Sequence, residues 1–145
     1  MVEIAILDAS GRPLLSTLLN PGRAIPRAAT RVHGITDEMV RSAPRWEDVL
    51  PDALRLLAGC ELVGHNLQFD LRFLGHPARS APALTTCTLS MARRIVAGPK
   101  KLADLALLAD LALLAGHAPS AAYHRAAADA LATRSVHRWL LGQKR

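Results

Sequence analysis

Aromatic residues are nearly missing from this chain: one Tyr, two Phe and two Trp, 3% of 145 residues. A core must therefore be built from Leu, Ala, Val and Ile, and base recognition by repeated aromatic stacking, as on an aromatic RNA-binding sheet, is disfavoured. Cysteine is as scarce. Cys60 and Cys87 have neither the CxxC nor the Cys/His spacing of a zinc site, and a chain of this size needs no disulfide staple, so both are expected as reduced core residues. Met1-Val2-Glu3 opens without a basic region or a long apolar run, so export is not indicated. The most apolar stretch, Leu102 to Ala115, is too short to span a bilayer and carries Asp104 and Asp110. A soluble, cytoplasmic protein with no membrane partner is the expectation.

What is present suits one compact domain over residues 1–145, since 50% hydrophobic content can fill a proper core. The net charge of +6 suits a polyanionic partner, because Lys and Arg that meet phosphates release condensed counterions. Most of these charges are Arg spread along the chain, which solvated helix faces would equally explain, and only Gln143-Lys144-Arg145 clusters them.

Val2, Ile4 and Ile6 alternate with Glu3, Ala5 and Leu7, then Asp8-Ala9-Ser10-Gly11 supplies turn chemistry before the run Leu14 to Leu19: a β-hairpin. Pro26 opens a short helix, Arg27 to Val32, stopped by Gly34, and Thr36 caps another with Asp37 and Glu38 in its first turn. Trp46, Val49, Leu50, Ala53, Leu54, Leu56 and Leu57 form an apolar helical stripe, with Gly59 at the C-cap and Pro51 able to shift its start. Cys60 to Gly64 fits a short buried strand and Leu67 to Leu74 the helix beyond it. Leu84 to Cys87 reads as another strand, and Thr88 as the cap of a helix to about Val96. A tandem hexapeptide, Ala103 to Leu108 repeated as Ala109 to Leu114, reads as a local duplication that lengthens a buried helix. Ala121 to Leu141 is a last helix, with Ala126, Ala130, Val136, Leu140 and Leu141 available to pack inward. The order predicts an α/β fold without an internal linker.

Three clusters could carry chemistry. Gly64-His65-Asn66-Leu67-Gln68-Phe69-Asp70 lies where a strand meets a helix, the place where α/β proteins gather active-site groups. Taken alone it also reads as an Asn cap with Asp70 solvated. Tyr123 to Asp129 holds His124 and Asp129, whose five-residue step turns about 140° on a helix, so they converge only if His124 lies in the preceding loop. The bland reading is a surface His and a solvated Asp. Arg31-Val32-His33-Gly34-Ile35-Thr36 could be no more than a helix stop followed by a helix start.

Together and in this order, the clusters resemble the DEDDh 3′-5′ exonuclease family of ribonuclease H-like fold, which includes the proofreading epsilon subunit of bacterial DNA polymerase III. Glu3-Ile-Ala looks like the family's second strand and Leu19-Asn-Pro-Gly22 its end. His33-Gly-Ile-Thr36 is similar to the following loop, His65-Asn66 with Phe69-Asp70 to the second exonuclease motif, and His124 with Asp129 to the third. The resemblance implies a mixed sheet flanked by helices, with Asp70 and Asp129 as ligands of an Mg²⁺ or Mn²⁺ pair and His124 as the general base. It further implies that Asn66, Phe69, His65 and His33 hold the substrate, the 3′ end of single-stranded DNA or RNA, and that a DNA polymerase subunit is a conceivable partner.

One departure matters. The family's first motif, Asp-x-Glu on the central strand, belongs before Glu3, where only Met1 and Val2 stand. Glu3 aligns with the second strand and Asp8 with a hairpin turn, so neither replaces it. Two carboxylates would face four positive charges, and the chain as it stands is expected to be inactive or crippled, with its first strand missing. Either coding sequence upstream supplies the strand, or the chain is a decayed remnant or a silent nuclease-derived module that binds nucleic acid or a polymerase partner.

Overall fold

A computed structural model describes residues 1–95, 97–98, 101–102, 104–105 and 124–143. The hairpin forms from β1 (Glu3–Leu7) and β2 (Pro13–Leu18), antiparallel, with Glu3 opposite Leu18, Ile6 opposite Leu15 and an irregularity between Ile6 and Leu7. Its turn is locked by Asp8, whose Oδ1 accepts from the Ser10 hydroxyl at 2.5 Å, the Ser10 amide at 2.9 Å and the Arg12 amide at 3.0 Å. The Ser10 hydroxyl, foremost among these donors, brings the Asp8 pKa down to about 2. Gly11 takes φ 94°, a region costly for any residue with a Cβ.

The hairpin leads into α1 (Arg27–His33), closed by left-handed Gly34, whose amide returns to the Thr30 carbonyl at 2.8 Å. Next comes α2 (Asp37–Val40), capped by the Thr36 hydroxyl. Asp37 also reaches back to accept from the Ile25 amide at 2.8 Å, which seals the small cluster of Ile25, Ile35 and Val40 under Val2 and Leu18. The next helix, α3 (Trp46–Leu57), starts where Asp48 accepts from the Arg45 amide at 2.9 Å, and it continues through Pro51. Pro51 therefore does not move the start, although its ring nitrogen has no hydrogen to donate to the preceding turn.

The second half follows a strand, helix, strand order: β3 (Glu61–Gly64), α4 (Leu67–Ser80) and β4 (Leu84–Cys87), with β3 and β4 parallel and Gly64 opposite Cys87. Leu67 packs so close to Gly64 that a Cβ there would lie 2.6 Å from its Cδ1. The expected end of α4 at Leu74 is a break inside a longer helix, since Gly75 adopts φ 73°, ψ 173° two residues before Pro77. The strands are followed by α5 (Thr88–Ile95) and, at the end of the described residues, α6 (Ala126–Gly142). Of the expected final helix, 121–123 lie outside the described residues. So does the hexapeptide repeat apart from Asp104 and Leu105, the latter fully buried.

The strands form two separate ribbons, the break expected where the central strand of the mixed sheet is missing. Among the described residues β1 pairs only with β2, and β3 only with β4. α6 packs on both β1 and β3 and so holds the two ribbons together without backbone bonds between them. The main cluster, with Ile4, Leu19, Val49, Leu57, Leu67 and Leu71, joins the hairpin to α3 and α4. A second, with Ala92, Leu105, Val136 and Leu140, fastens α6 to α5. Cys60 and Cys87 are free and only half-buried at the edge of the main cluster, so they border the core rather than fill it. No helix among the described residues is long and apolar enough to cross a membrane.

Leu141, expected inward, is 49% exposed, because α6 turns it away from the face that buries Val136 and Leu140. Leu140→Ala should therefore cost about 2–5 kcal/mol by opening a cavity, and Leu141→Ala less than about 0.5 kcal/mol. Urea unfolding of the two variants beside the parent measures the contrast.

Candidate active site

Glu3, at the start of β1, meets the beginning of α6. Its carboxylate accepts from Arg125 Nη2 at 2.8 Å and Nε at 3.2 Å, and from the Ala126 amide at 2.8 Å. A carboxylate here satisfies one of the unpaired amides of the first helical turn and sits at the positive end of the helix dipole. Burial alone would raise the Glu3 pKa, but the bonds from Arg125 and Ala126 outweigh it and the pKa is lowered.

That anchor fixes the residues around it. His124, just before α6, is left-handed at φ 76°, and its amide donates to Asp129 Oδ1 at 3.1 Å. The two converge as the five-residue spacing requires, with His124 off the helix, and the link runs through backbone rather than the imidazole. Glu3, His124, Ala126 and Asp129 line a pocket of about 160 Å³ with Val2, His33 and Ile35. The Ile35 amide donates to His33 Nδ1 at 3.0 Å, so a neutral His33 ring carries its proton on Nε2.

Asp70 stands on the first turn of α4, outside the lining of that pocket, after Asn66 has turned the chain in a left-handed conformation. Partial desolvation raises its pKa first of all, its own amide works against that, and the charge of Asp129 raises it further. The Asp129 pKa is also raised, chiefly by burial, with Glu3 adding and the His124 amide and the His124 and His65 rings opposing. Asp70, His65, His124 and Asp129 thus share one electrostatic neighbourhood, although they come from two distant stretches of chain.

The remaining candidates are placed unevenly. His65 Nδ1 lies 2.9 Å from the hydroxyl of fully buried Thr88, which also reaches the Gly64 carbonyl at 3.4 Å, so β3 is tied to the start of α5. Thr88 is the first residue of α5 rather than its cap, because its hydroxyl is used in that tie. The Asn66 side chain makes no capping bond. Phe69 is 55% exposed and packs edge-on to Phe73, ring centres 5.1 Å apart. Among the described residues no three His, Cys, Asp or Glu side chains stand close enough together to hold a metal ion. The role of Arg125 is absent from any sequence reading, since only folding reveals a partner so far along the chain.

Comparison with known proteins decides the family. A profile of the family described as Exonuclease, of RNase T type, matches residues 2–136. The chain belongs to the exonuclease family. Its relatives include exonuclease CP81 of Escherichia phage 186, itself uncharacterized, at 39% identity over 54% of this chain and 41% of that protein. The DNA polymerase III epsilon subunit of Haemophilus influenzae is 35% identical over 59% of this chain and 37% of its own. The structure of exonuclease X in complex with 5′ overhanging duplex DNA superposes with TM-score 0.73 at 27% identity, over 99% of this chain and 84% of that one. The fold is thus the ribonuclease H-like exonuclease fold of the DEDDh group. The chain spans less than half the length of the two sequence relatives named.

Two variants test the charge balance of this exonuclease-family pocket. The folded pKa of Asp70 lies above its ordinary 3.8, so the contribution of Asp70 to stability is full below that pH and is lost as the pH rises through the folded value. Asp70→Asn should therefore melt higher than the parent at pH 7 in EDTA, and the difference should vanish below about pH 3. Glu3 has the opposite sign, because its lowered pKa contributes stability above 4.5 that is lost on acidification. Glu3→Gln turns an amide donor toward Arg125 and should cost about 1–3 kcal/mol at pH 7 in urea unfolding.

Proposed function

We propose that this is a 3′-5′ exonuclease-type domain that acts on the 3′ ends of single-stranded nucleic acid by hydrolysing the terminal phosphodiester bond. The observation that carries this reading is that the His124 amide holds Asp129 while the charge of Asp129 acts on Asp70, so that two carboxylates and a histidine distant in sequence belong to one neighbourhood. Carboxylates kept in such a place suit binding of cations. Asp70 and Asp129 would be ligands to Mg²⁺ or Mn²⁺, ions that prefer oxygen donors. When bound, such a pair stabilises the attacking and leaving oxygens at phosphorus.

The residues described here supply half of what that pair needs. Glu3 is taken up by Arg125 and Ala126, which leaves two carboxylates against four positive charges. Among the described residues β1 pairs only with β2 and β3 only with β4, and a strand bearing Asp-x-Glu that paired with both β1 and β3 would add two carboxylates. His124, exposed and lining the pocket, would take the proton from the attacking water, a task suited to an imidazole nitrogen. Exposed Phe69 and Asn66 would hold the terminal nucleotide, His33 would present Nε2–H to it, and His65 would support the strand end from which these residues project.

The second reading is a catalytically silent module that binds nucleic acid or a polymerase partner, favoured by the lack of a three-ligand cluster among the described residues. Labelled single strands incubated with Mn²⁺ separate the two readings when this chain is compared with one extended to an upstream start. The extended chain should release mononucleotides, and His124→Ala in it should lose about 10²–10⁴-fold in rate. Saturable, salt-sensitive binding with no release by either chain would establish the silent module instead.

A further inference from the structure

Beyond the pocket at Asp129 lies a second cavity, about 210 Å³, whose walls include Asn20, Gly22, Arg45, Trp46, Glu47 and Phe73. We propose that Phe73, Trp46 and Arg45 form a second nucleotide subsite, in which the base next to the terminal one stacks on Phe73 and its phosphate meets Arg45. This rests on the reading of the chain as a domain that binds single-stranded ends.

The placement follows from α4. Phe69, Arg72 and Phe73 stand at i, i+3 and i+4 on its exposed face, before the break at Gly75, so all three lie on one stripe that begins beside Asp70. Phe73 is 46% exposed, and its edge-on contact with Phe69 leaves ring surface open to solvent. In a chain with only five aromatic residues, two exposed rings in contact are not dispersed surface apolarity. They form a step, with Phe69 at the candidate site and Phe73 one helical turn farther on, about 6 Å along the axis.

The cavity beyond Phe73 is too small for a drug-sized ligand, whose sites run to about 300–1,000 Å³, and is on the scale of one flat ring. Its far wall is stiff: Asn20 gives its side-chain amide to the Arg41 carbonyl at 3.0 Å and accepts from the Gly22 amide at 2.9 Å. Gly22, at φ 68°, leaves room for the Arg45 guanidinium, which lies 3.9 Å from where a Cβ would stand. Arg45 and Arg72 are exposed and positive, with Glu47 as the opposing charge on the cavity wall. Aromatic faces beside guanidinium groups suit a stacked base and its phosphate, and the pairing tolerates any base.

The test is binding of a 5′-labelled thymidine hexamer to the 145-residue chain at low salt in EDTA, so that catalysis plays no part. Phe73→Leu, which keeps apolar bulk without a stacking face, should weaken binding about tenfold, while Phe73→Trp should retain it. Arg45→Gln should reduce the slope of log affinity against log salt by about one. Equal affinity for Phe73→Leu and the parent overturns the subsite, as does failure of Phe73→Trp to restore binding or absence of saturable binding by the parent. The exonuclease reading stands or falls separately, on Mn²⁺-dependent release of mononucleotides.

Discussion

Glu3 and Arg125 stand near opposite ends of the chain, yet one carboxylate receives both the guanidinium and the first amide of α6. Other features of the candidate site depend on that contact. With the helix start pinned on β1, His124 is forced off the helix into a left-handed turn, and its amide meets Asp129. The Glu3 side chain is only 13% exposed, so an unpaired charge there would be costly, and the bonds from α6 compensate the loss of water.

Pinning α6 also resolves an architectural difficulty. Among the described residues no strand pairing joins the two ribbons. α6 bridges them by packing on β1 and β3, while Val136 and Leu140 anchor its other face to α5. The result is a pocket that bears Asp129 from α6, with Asp70 on α4 near enough for the charge of Asp129 to act on it. The pKa values of both are raised, chiefly by desolvation of each carboxyl.

Much of this was legible in the sequence because it is local. The hairpin follows from alternation and the Asp8 turn, and the α1 stop and α2 start follow from Gly34 and Thr36, whose bonds reach only three or four residues. The geometric condition on His124 and Asp129 also came from helical spacing alone. Features set by distant partners were not legible. Arg125 has no local signature, Thr88 looks like a cap until His65 occupies its hydroxyl, and the break at Gly75 depends on a left-handed φ that sequence merely permits. The inward or outward aim of Leu141 depends on how α6 is rotated, which is set by its contacts with α5 and the ribbons rather than by its own composition.

The claim that most needs a direct check is that Asp70 and Asp129 lie near enough for their charges to act on one another. Titration of the Asp70 side-chain carboxyl by NMR, in the parent and in Asp129→Asn, measures it without requiring activity. The account predicts that Asp70 titrates above 3.8 in the parent and falls toward that value when Asp129 loses its charge. An Asp70 titration that is the same in both proteins would place the two carboxylates in separate sites and contradict the account.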